Sequence, residues 1–152
     1  MTEPIPVKLA IVSPLFQPSY MPAYATSGAA GLDLHACIPQ PVLFEPGARI
    51  RIPTGIAIEL PRQDVVALVY ARSGWAAKYG VGLTNGVGVI DSDYRGEIAV
   101  LLSHHGDEAL RIEPGDRIAQ MVIAPLYVAN WTVVERLDDT DRGAGGFGST
   151  GR

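Results

Sequence analysis

Arg49-Ile50-Arg51-Ile52-Pro53-Thr54-Gly55-Ile56-Ala57-Ile58-Glu59-Leu60 decides the fold class. Arg49 to Ile52 alternate charged and apolar, and Ile56 to Glu59 carry their isoleucines two apart. Side chains along a strand point to opposite faces in turn, so both halves read as half-buried strands. Pro53-Thr54-Gly55 between them is turn chemistry. The same pattern extends in both directions. Runs rich in Val, Ile and Leu occupy Val7–Val12, Gly31–Ile38, Val65–Tyr70, Val81–Ile90, Glu97–Ser103, Arg117–Ile123 and Ala129–Leu137. Glu45-Pro46-Gly47 and Glu113-Pro114-Gly115 punctuate them. The 17 glycines and 12 prolines are spread through the chain rather than pooled in a linker. This spacing predicts an all-β fold, a β-sandwich or jelly roll. One helical turn is expected at Trp75–Tyr79, with Ser73 as N-cap and Gly80 as stop.

At 152 residues the chain suits one domain with a real core. The apolar pattern stops at Leu137, so residues 1–137 are expected to form the domain and 138–152 a flexible glycine-rich arm. The hydrophobic fraction is 47% and the mean hydropathy +0.17. No run approaches the roughly 20 apolar residues of a membrane span, so no membrane association is expected. The surplus apolar surface is instead expected to be buried between subunits. A net charge of −4 argues against a general basic face, hence against nucleic acid as partner. A local arginine cluster could still hold a small phosphorylated ligand. The single cysteine, Cys37, excludes an internal disulfide and reads as a core residue. The N-terminus lacks the basic and apolar regions of a signal peptide, which points to a cytoplasmic protein.

Several segments could carry chemistry. Arg142-Gly-Ala-Gly-Gly-Phe-Gly-Ser-Thr-Gly-Arg152 holds five of the 17 glycines between two arginines. Open backbone N–H groups, a guanidinium and the Phe147 ring suit closure over a phosphorylated ligand with a flat base. Gly143 to Gly148 matches G-x-G-x-x-G and resembles a P-loop without its lysine, but too little sequence follows for the helix either motif needs. Arg72-Ser73-Gly74 offers a guanidinium, a hydroxyl and free N–H groups at a helix start. Taken alone it is an ordinary cap. Asp91 to Gly96 reads as a hairpin turn, or as a site if Asp91 faces a cleft, where its carboxylate could accept a proton from a positioned water. Gly115-Asp116-Arg117 reads as a turn with an exposed ion pair. Gln120, amid apolar neighbours, needs a partner, and a phosphate could be one. His35 stands alone, and His104-His105 reads as a pair of solvated loop residues. No Cys/His cluster and no nucleophile elbow are present.

Together and in this order, five segments resemble the trimeric deoxyuridine triphosphatase (dUTPase) family. They are Ala30-Gly-Leu-Asp-Leu-His-Ala36, Ala71-Arg-Ser-Gly-Trp-Ala-Ala-Lys78, Asn85-Gly-Val-Gly-Val-Ile-Asp-Ser-Asp-Tyr-Arg-Gly-Glu97, Gly115-Asp-Arg-Ile-Ala-Gln120, and Arg142 to Gly151. Trp75 departs from the family, which more often has an aliphatic residue there. The resemblance implies a distorted jelly-roll homotrimer with three active sites at subunit interfaces. One subunit would supply the second and fourth segments, another the third, and the remaining one the tail. It implies hydrolysis of dUTP to dUMP and pyrophosphate with Mg2+ on the triphosphate, which keeps uracil out of DNA and supplies dUMP for thymidylate synthesis.

The residue roles below are likewise implications of that resemblance. Asp91 would be the general base for the water attacking the α-phosphorus. Asn85 and the backbone of Gly86, Val87, Gly88, Val89 and Ile90 would form a hairpin reading uracil, and Tyr94 would lie beneath the deoxyribose. Arg72, Ser73, Gly74 and Gln120 would contact phosphates. Arg142 would reach the γ-phosphate, Phe147 would stack on uracil, and Gly148, Ser149 and Thr150 would donate to phosphates. No protein side chain is expected to ligate the metal directly, with Asp33 near it through water. Deoxycytidine triphosphate deaminase shares the trimeric fold, but its glutamate would fall at Leu101, which cannot shuttle protons. A nucleotide-responsive regulatory protein on the same scaffold would tolerate loss of the base or the tail, and both are present.

Overall fold

The computed structural model describes residues 4–146. Among them run β1 (Lys8–Ile11), β2 (Leu32–His35), β3 (Val42–Phe44), β4 (Arg49–Pro53), β5 (Ile56–Glu59), β6 (Val65–Tyr70), α1 (Ser73–Tyr79), β7 (Val81–Leu83), β8 (Gly88–Ile90), β9 (Ala99–His104), β10 (Leu110–Ile112) and β11 (Arg117–Pro125). All named strand pairs are antiparallel. They form four sheets, ordered β1-β5, β10-β3, β2-β11-β6-β8 and β4-β9-β7. Their inner faces share one core, the packing of a jelly roll.

The Arg49–Leu60 stretch makes two strands, as its pattern requires, but the turn between them is a corner. β4 pairs with β9 and β5 with β1, so Thr54 and Gly55 carry the chain from one sheet to another. The corner is tied from below. The buried Thr54 hydroxyl donates to the Ile98 carbonyl at 2.6 Å, and the Gly55 N–H donates to Glu97 Oε1 at 2.9 Å. Arg49 and Arg51 face out while Ile52 is buried, as alternation predicts. In β5, Ile56, Ala57 and Ile58 are all buried, because this strand is covered on both faces.

Two strands escaped the sequence pattern. β3 and β10 are three residues each, too short for a period to register, and they pair with each other through Phe44↔Leu110 and Ile112↔Val42. They nevertheless supply Phe44 and Ile112, among the most buried side chains of the core. The expected helix is present but starts at Ser73, with Arg72 as the cap residue and no capping bond from the Ser73 hydroxyl. Gly80 ends it at φ 65°, a left-handed conformation natural to glycine.

The strand expected at Ala129–Leu137 does not form. After the Leu126 N–H donates to the Asp64 carbonyl at 2.9 Å, residues 127–144 run exposed and without regular structure. A strand needs a free edge to pair with, and this segment takes none in its own chain. Tyr127, Val128, Trp131, Val133, Val134 and Leu137 all stand in solvent.

The core depends on well-filled apolar space, and Phe44 is 1% exposed at its centre. Phe44→Ala is expected to cost about 3–5 kcal/mol in chemical denaturation. A loss below about 1 kcal/mol would mean that the small β3-β10 sheet is not a structural member of the core.

Candidate active site

Two clefts carry the polar residues singled out from sequence, one just past the end of β6 and one beside it. The first, of about 360 Å3, opens where β6 ends and α1 begins. Its lining includes Gly31, Asp33, Arg72, Ser73, Gly74, Arg117 and Gln120. Pairing of β2 with β11 sets Asp33 opposite Gln120, and pairing of β11 with β6 sets Gln120 opposite Tyr70. Gln120 Nε2 donates to the Ala71 carbonyl at 3.0 Å, which answers part of the question its apolar neighbours raised. Asp33 is held between two guanidiniums: Arg72 Nε lies 3.2 Å from Oδ1 and Arg117 Nη1 lies 3.2 Å from Oδ2. Two cations against one carboxylate leave this cleft with positive charge for an anion. Arg117 was read from sequence as a turn residue paired locally. Asp116 instead accepts the Glu113 N–H at 2.8 Å, and Arg117 reaches across to Asp33.

The second cleft, of about 270 Å3, lies between β6, β8 and β9. It is lined by Asn85, Gly88, Val89, Ile90, Asp91 and Tyr94, and also by Leu83, Glu97, Ala99 and Leu101. Nothing in their type marks Leu83 and Ala99 as site residues, and Glu97 enters the sequence reading only as the last residue of the third segment; strand packing brings all three here. β7 pairs with β9 while β8 pairs with β6, so residues 84–87 form a passage between sheets rather than the hairpin loop expected there. The same correction applies to Asp91–Gly96, since β8 and β9 belong to different sheets. Asp91 follows the buried Ile90 directly and is itself exposed. The Tyr94 hydroxyl donates to the Glu97 carbonyl at 3.1 Å, folding the ring back over Gly96. A Cβ at position 96 would collide with that ring and its hydroxyl, so only glycine lets Tyr94 lie there.

The clefts share no lining residue. Antiparallel register sets Ala67 opposite Ile90, which carries Asp91 toward Val66, whereas Arg72 lies beyond Tyr70. Six residues of extended chain separate these positions, about 20 Å at the usual strand rise. In the arm, Arg142 Nε donates to the Gly145 carbonyl at 2.9 Å. Phe147, Gly148, Ser149 and Thr150 lie outside the described residues.

A family model described as dUTPase matches residues 17–151. The chain belongs to the dUTPase family. Among relatives of this dUTPase-family chain, the deoxyuridine 5'-triphosphate nucleotidohydrolase of Desulfitobacterium hafniense is 54% identical over 147 residues, covering 97% of each chain. That of Hahella chejuensis is 52% identical over 131 residues, 86% of each. Among solved structures, a variant of the Staphylococcus bacteriophage 80alpha dUTPase carrying dUpNHpp superposes with a TM-score of 0.84 at 25% identity, covering 97% of this chain and 99% of that one. A variant of the dUTPase from phage phi11 of S. aureus, described with a structural Mg(II) ion, shares the fold with a TM-score of 0.77 at 21% identity, covering 88% and 99%.

The histidines of this dUTPase-family chain lie outside both clefts, and one is more buried than expected. His104 is not a solvated loop residue. It is 1% exposed against Phe44, its Nδ1 accepts the Gly106 N–H at 3.1 Å, and its Nε2 meets the Glu108 carbonyl at 2.9 Å. Both ring nitrogens are thereby satisfied, which is what allows the ring into the core. His105 is exposed, as expected, beside the Ser103 hydroxyl at 3.0 Å. His35 stacks on Tyr20 with ring centroids 6.1 Å apart, and its Nδ1 is buried without a hydrogen-bond partner among the described residues. Burial lowers its pKa below the ordinary 6.5, outweighing the opposing pull of Asp33 and the Tyr20 backbone, with Arg117 and Arg72 also lowering it. The unfolded chain therefore binds this proton more readily than the folded one. Stability from this group is complete above pH 6.5 and declines as pH falls from 6.5 toward the folded value. His35→Phe keeps the stacked ring and removes the proton, so its melting temperature should fall less steeply than the parent's below that pH. Equal slopes would show that His35 does not titrate differently on folding.

Proposed function

We propose that the chain hydrolyses dUTP to dUMP and pyrophosphate in a homotrimer whose active sites are each assembled from more than one subunit. The observation that carries the assembly is the separation across β6. Asp91 and Arg72 stand at opposite ends of that strand, about 20 Å apart at the usual rise, and a triphosphate drawn out at one α-phosphorus cannot use both within one chain. The second cleft of one subunit, set against the first cleft of another, brings the two ends together. The exposed apolar segment 127–137 supports a multi-chain assembly independently.

In this reading the second cleft takes the nucleoside. Asn85 and the backbone of Gly88 to Ile90 read the edge of uracil. Cytosine presents a donor where uracil presents an acceptor, which would leave buried polar groups unpaired, and a thymine methyl has no space. Tyr94, pinned by its bond to Glu97, is the surface beneath the deoxyribose and leaves no room for a 2′-hydroxyl. Asp91 takes the proton of the attacking water. Phosphoryl chemistry asks chiefly for positioning and charge neutralisation, so the first cleft does much of the remaining work. Arg72, the N–H groups of Ser73 and Gly74, and Gln120 hold the phosphates. The arm 138–152 closes over them with Arg142 on the γ-phosphate, Phe147 on the base, and Gly148, Ser149 and Thr150 donating. A cytoplasmic location belongs to the same proposal.

Mg2+ fits this arrangement as an ion carried on the substrate. Among the described residues no three His, Cys, Asp or Glu side chains converge as a cage. A triphosphate and waters supply oxygens enough for a hard octahedral ion. Asp33, engaged on each oxygen by one arginine, retains lone pairs to accept from a metal-bound water. When bound, the ion neutralises charge on the phosphates. Leu101 lines the second cleft where a deaminating enzyme would need an acid, and its side chain carries no proton.

Pyrophosphate release measured in parallel on dUTP, dCTP, dTTP and UTP is expected for dUTP alone. Asp91→Asn should bind dUTP normally and lose about 10²–10⁴-fold in turnover. Near-normal turnover would remove Asp91 from its role, and binding without any release by the parent protein would favour a regulatory protein.

A further inference from the structure

Arg117 and Gln120 are three residues apart, and residues at that spacing face opposite sides of a regular strand. Both nevertheless line the first cleft. The reason is a bulge. Gln120 stands opposite Asp33 and Ala119 opposite Leu34, so a regular ladder would place Ile118 opposite His35; Arg117 stands there instead. Ile118 and Ala119 are consecutively buried, at 1% and 0% exposure, and the extra residue turns Arg117 onto the face of Asp33 and Gln120. Bulges re-aim side chains in this way beside functional clefts.

We propose that Arg117 is a positioning residue for the triphosphate, setting the guanidinium of Arg72 through Asp33 and through its own carbonyl. The proposal rests on the assignment of the first cleft to phosphates. Arg117 Nη1 donates to Asp33 Oδ2 at 3.2 Å, while Asp33 Oδ1 faces Arg72 Nε at 3.2 Å. Arg72 Nη1 donates to the Arg117 carbonyl at 3.2 Å. The two contacts fix the plane of the Arg72 fork from two sides and leave Nη2 without a partner among the described residues. Arg117 also divides the carboxylate. Facing Asp33 alone, Arg72 could swing to engage both oxygens in a bidentate pair, which would turn its donors away from an incoming phosphate and cancel its charge. With Arg117 on Oδ2, Asp33 restrains Arg72 without capturing it. Gly31 closes the device on the other side, since a Cβ there would lie 2.7 Å from Gln120 Oε1.

The test is steady-state kinetics on the assembled full-length protein. Arg117→Gln is expected to raise KM for dUTP on the order of tenfold through misplacement of Arg72, with kcat within about threefold of the parent and an unchanged melting temperature. The double variant Asp33→Asn/Arg117→Gln should be no worse than Asp33→Asn alone, because both act through one carboxylate. Arg117→Lys keeps the charge and should recover part of the loss; it also carries the test if Arg117→Gln fails to assemble, with KM still above the parent's. Arg72→Gln is the control. If it raises KM while Arg117→Gln and Arg117→Lys leave KM within roughly twofold, the Arg117 proposal is overturned and the cleft assignment stands. Additive losses in the double variant, or a fall in kcat at constant KM, overturn it as well. If Arg72→Gln itself leaves KM unchanged, the assignment of the first cleft to phosphates fails, and the proposal with it.

Discussion

A single buried strand, β6, organises this molecule. It is hydrogen-bonded on both sides, to β11 through six register pairs and to β8 through three. Its Val65, Val66, Ala67 and Val69 are buried. A strand so enclosed cannot bend or slip without breaking two ladders at once, because a one-residue shift would send its core residues to the wrong face. Whatever stands at its two ends is therefore held at fixed separation. Arg72 follows one end directly, and Asp91 is delivered beside the other by β8. The rigidity that holds each cleft open also keeps the two clefts apart within one chain, and the proposed dependence on a second chain rests on that distance.

The charge arrangement has a similar economy. The protein is acidic overall at −4, yet it concentrates two guanidiniums on one carboxylate in the first cleft. An unpaired arginine pair would repel, and a lone Asp–Arg pair would be nearly neutral. The triad leaves positive charge with fixed geometry, which suits an anion whose own charge is partly met by a bound metal ion. The second cleft is shaped by backbone and apolar groups together with Asn85, Tyr94, Asp91, Glu97 and Arg51, so opposite charges are present in it rather than an excess of cations. A flat base and a sugar need shape and a few hydrogen bonds, whereas phosphates need charge, and the proposed reading gives the two halves of the substrate to different surfaces.

Much of this was legible in the sequence because it depends on local pattern. Alternation marked the strands around Arg49–Leu60, Gly80 marked the end of the helix, and the order of five motifs marked the family. Most of the failures share a cause, namely pairings between distant residues. Thr54–Gly55 and Asp91–Gly96 have turn chemistry, and no local signal distinguishes a hairpin from a corner between sheets. β3 and β10 are too short to show a period. Ala129–Leu137 has strand composition but no edge in its own chain. His104 looked like a loop residue because its partners, the Glu108 carbonyl and the Gly106 N–H, are backbone groups without a sequence signature. Arg117 was assigned to its neighbour Asp116, since a bulge that turns a side chain to the other face leaves no mark in the residue types. The register shift against β2, with two consecutive buried residues between Arg117 and Gln120, reveals it.

In the proposed trimer, catalysis requires the Asp91 end of one subunit and the Arg72 end of another. Mixing two inactive full-length proteins tests it directly: Asp91→Asn and Arg72→Ala, each unfolded, combined in equal amounts, refolded together and assayed for pyrophosphate release from dUTP. If sites are shared, random assortment places intact Asp91 and intact Arg72 together in roughly a quarter of the sites, and activity should return to about that fraction of the parent's. If the mixture stays as inactive as its components while assembling normally, both residues act from the same chain, and the account of a divided site is wrong.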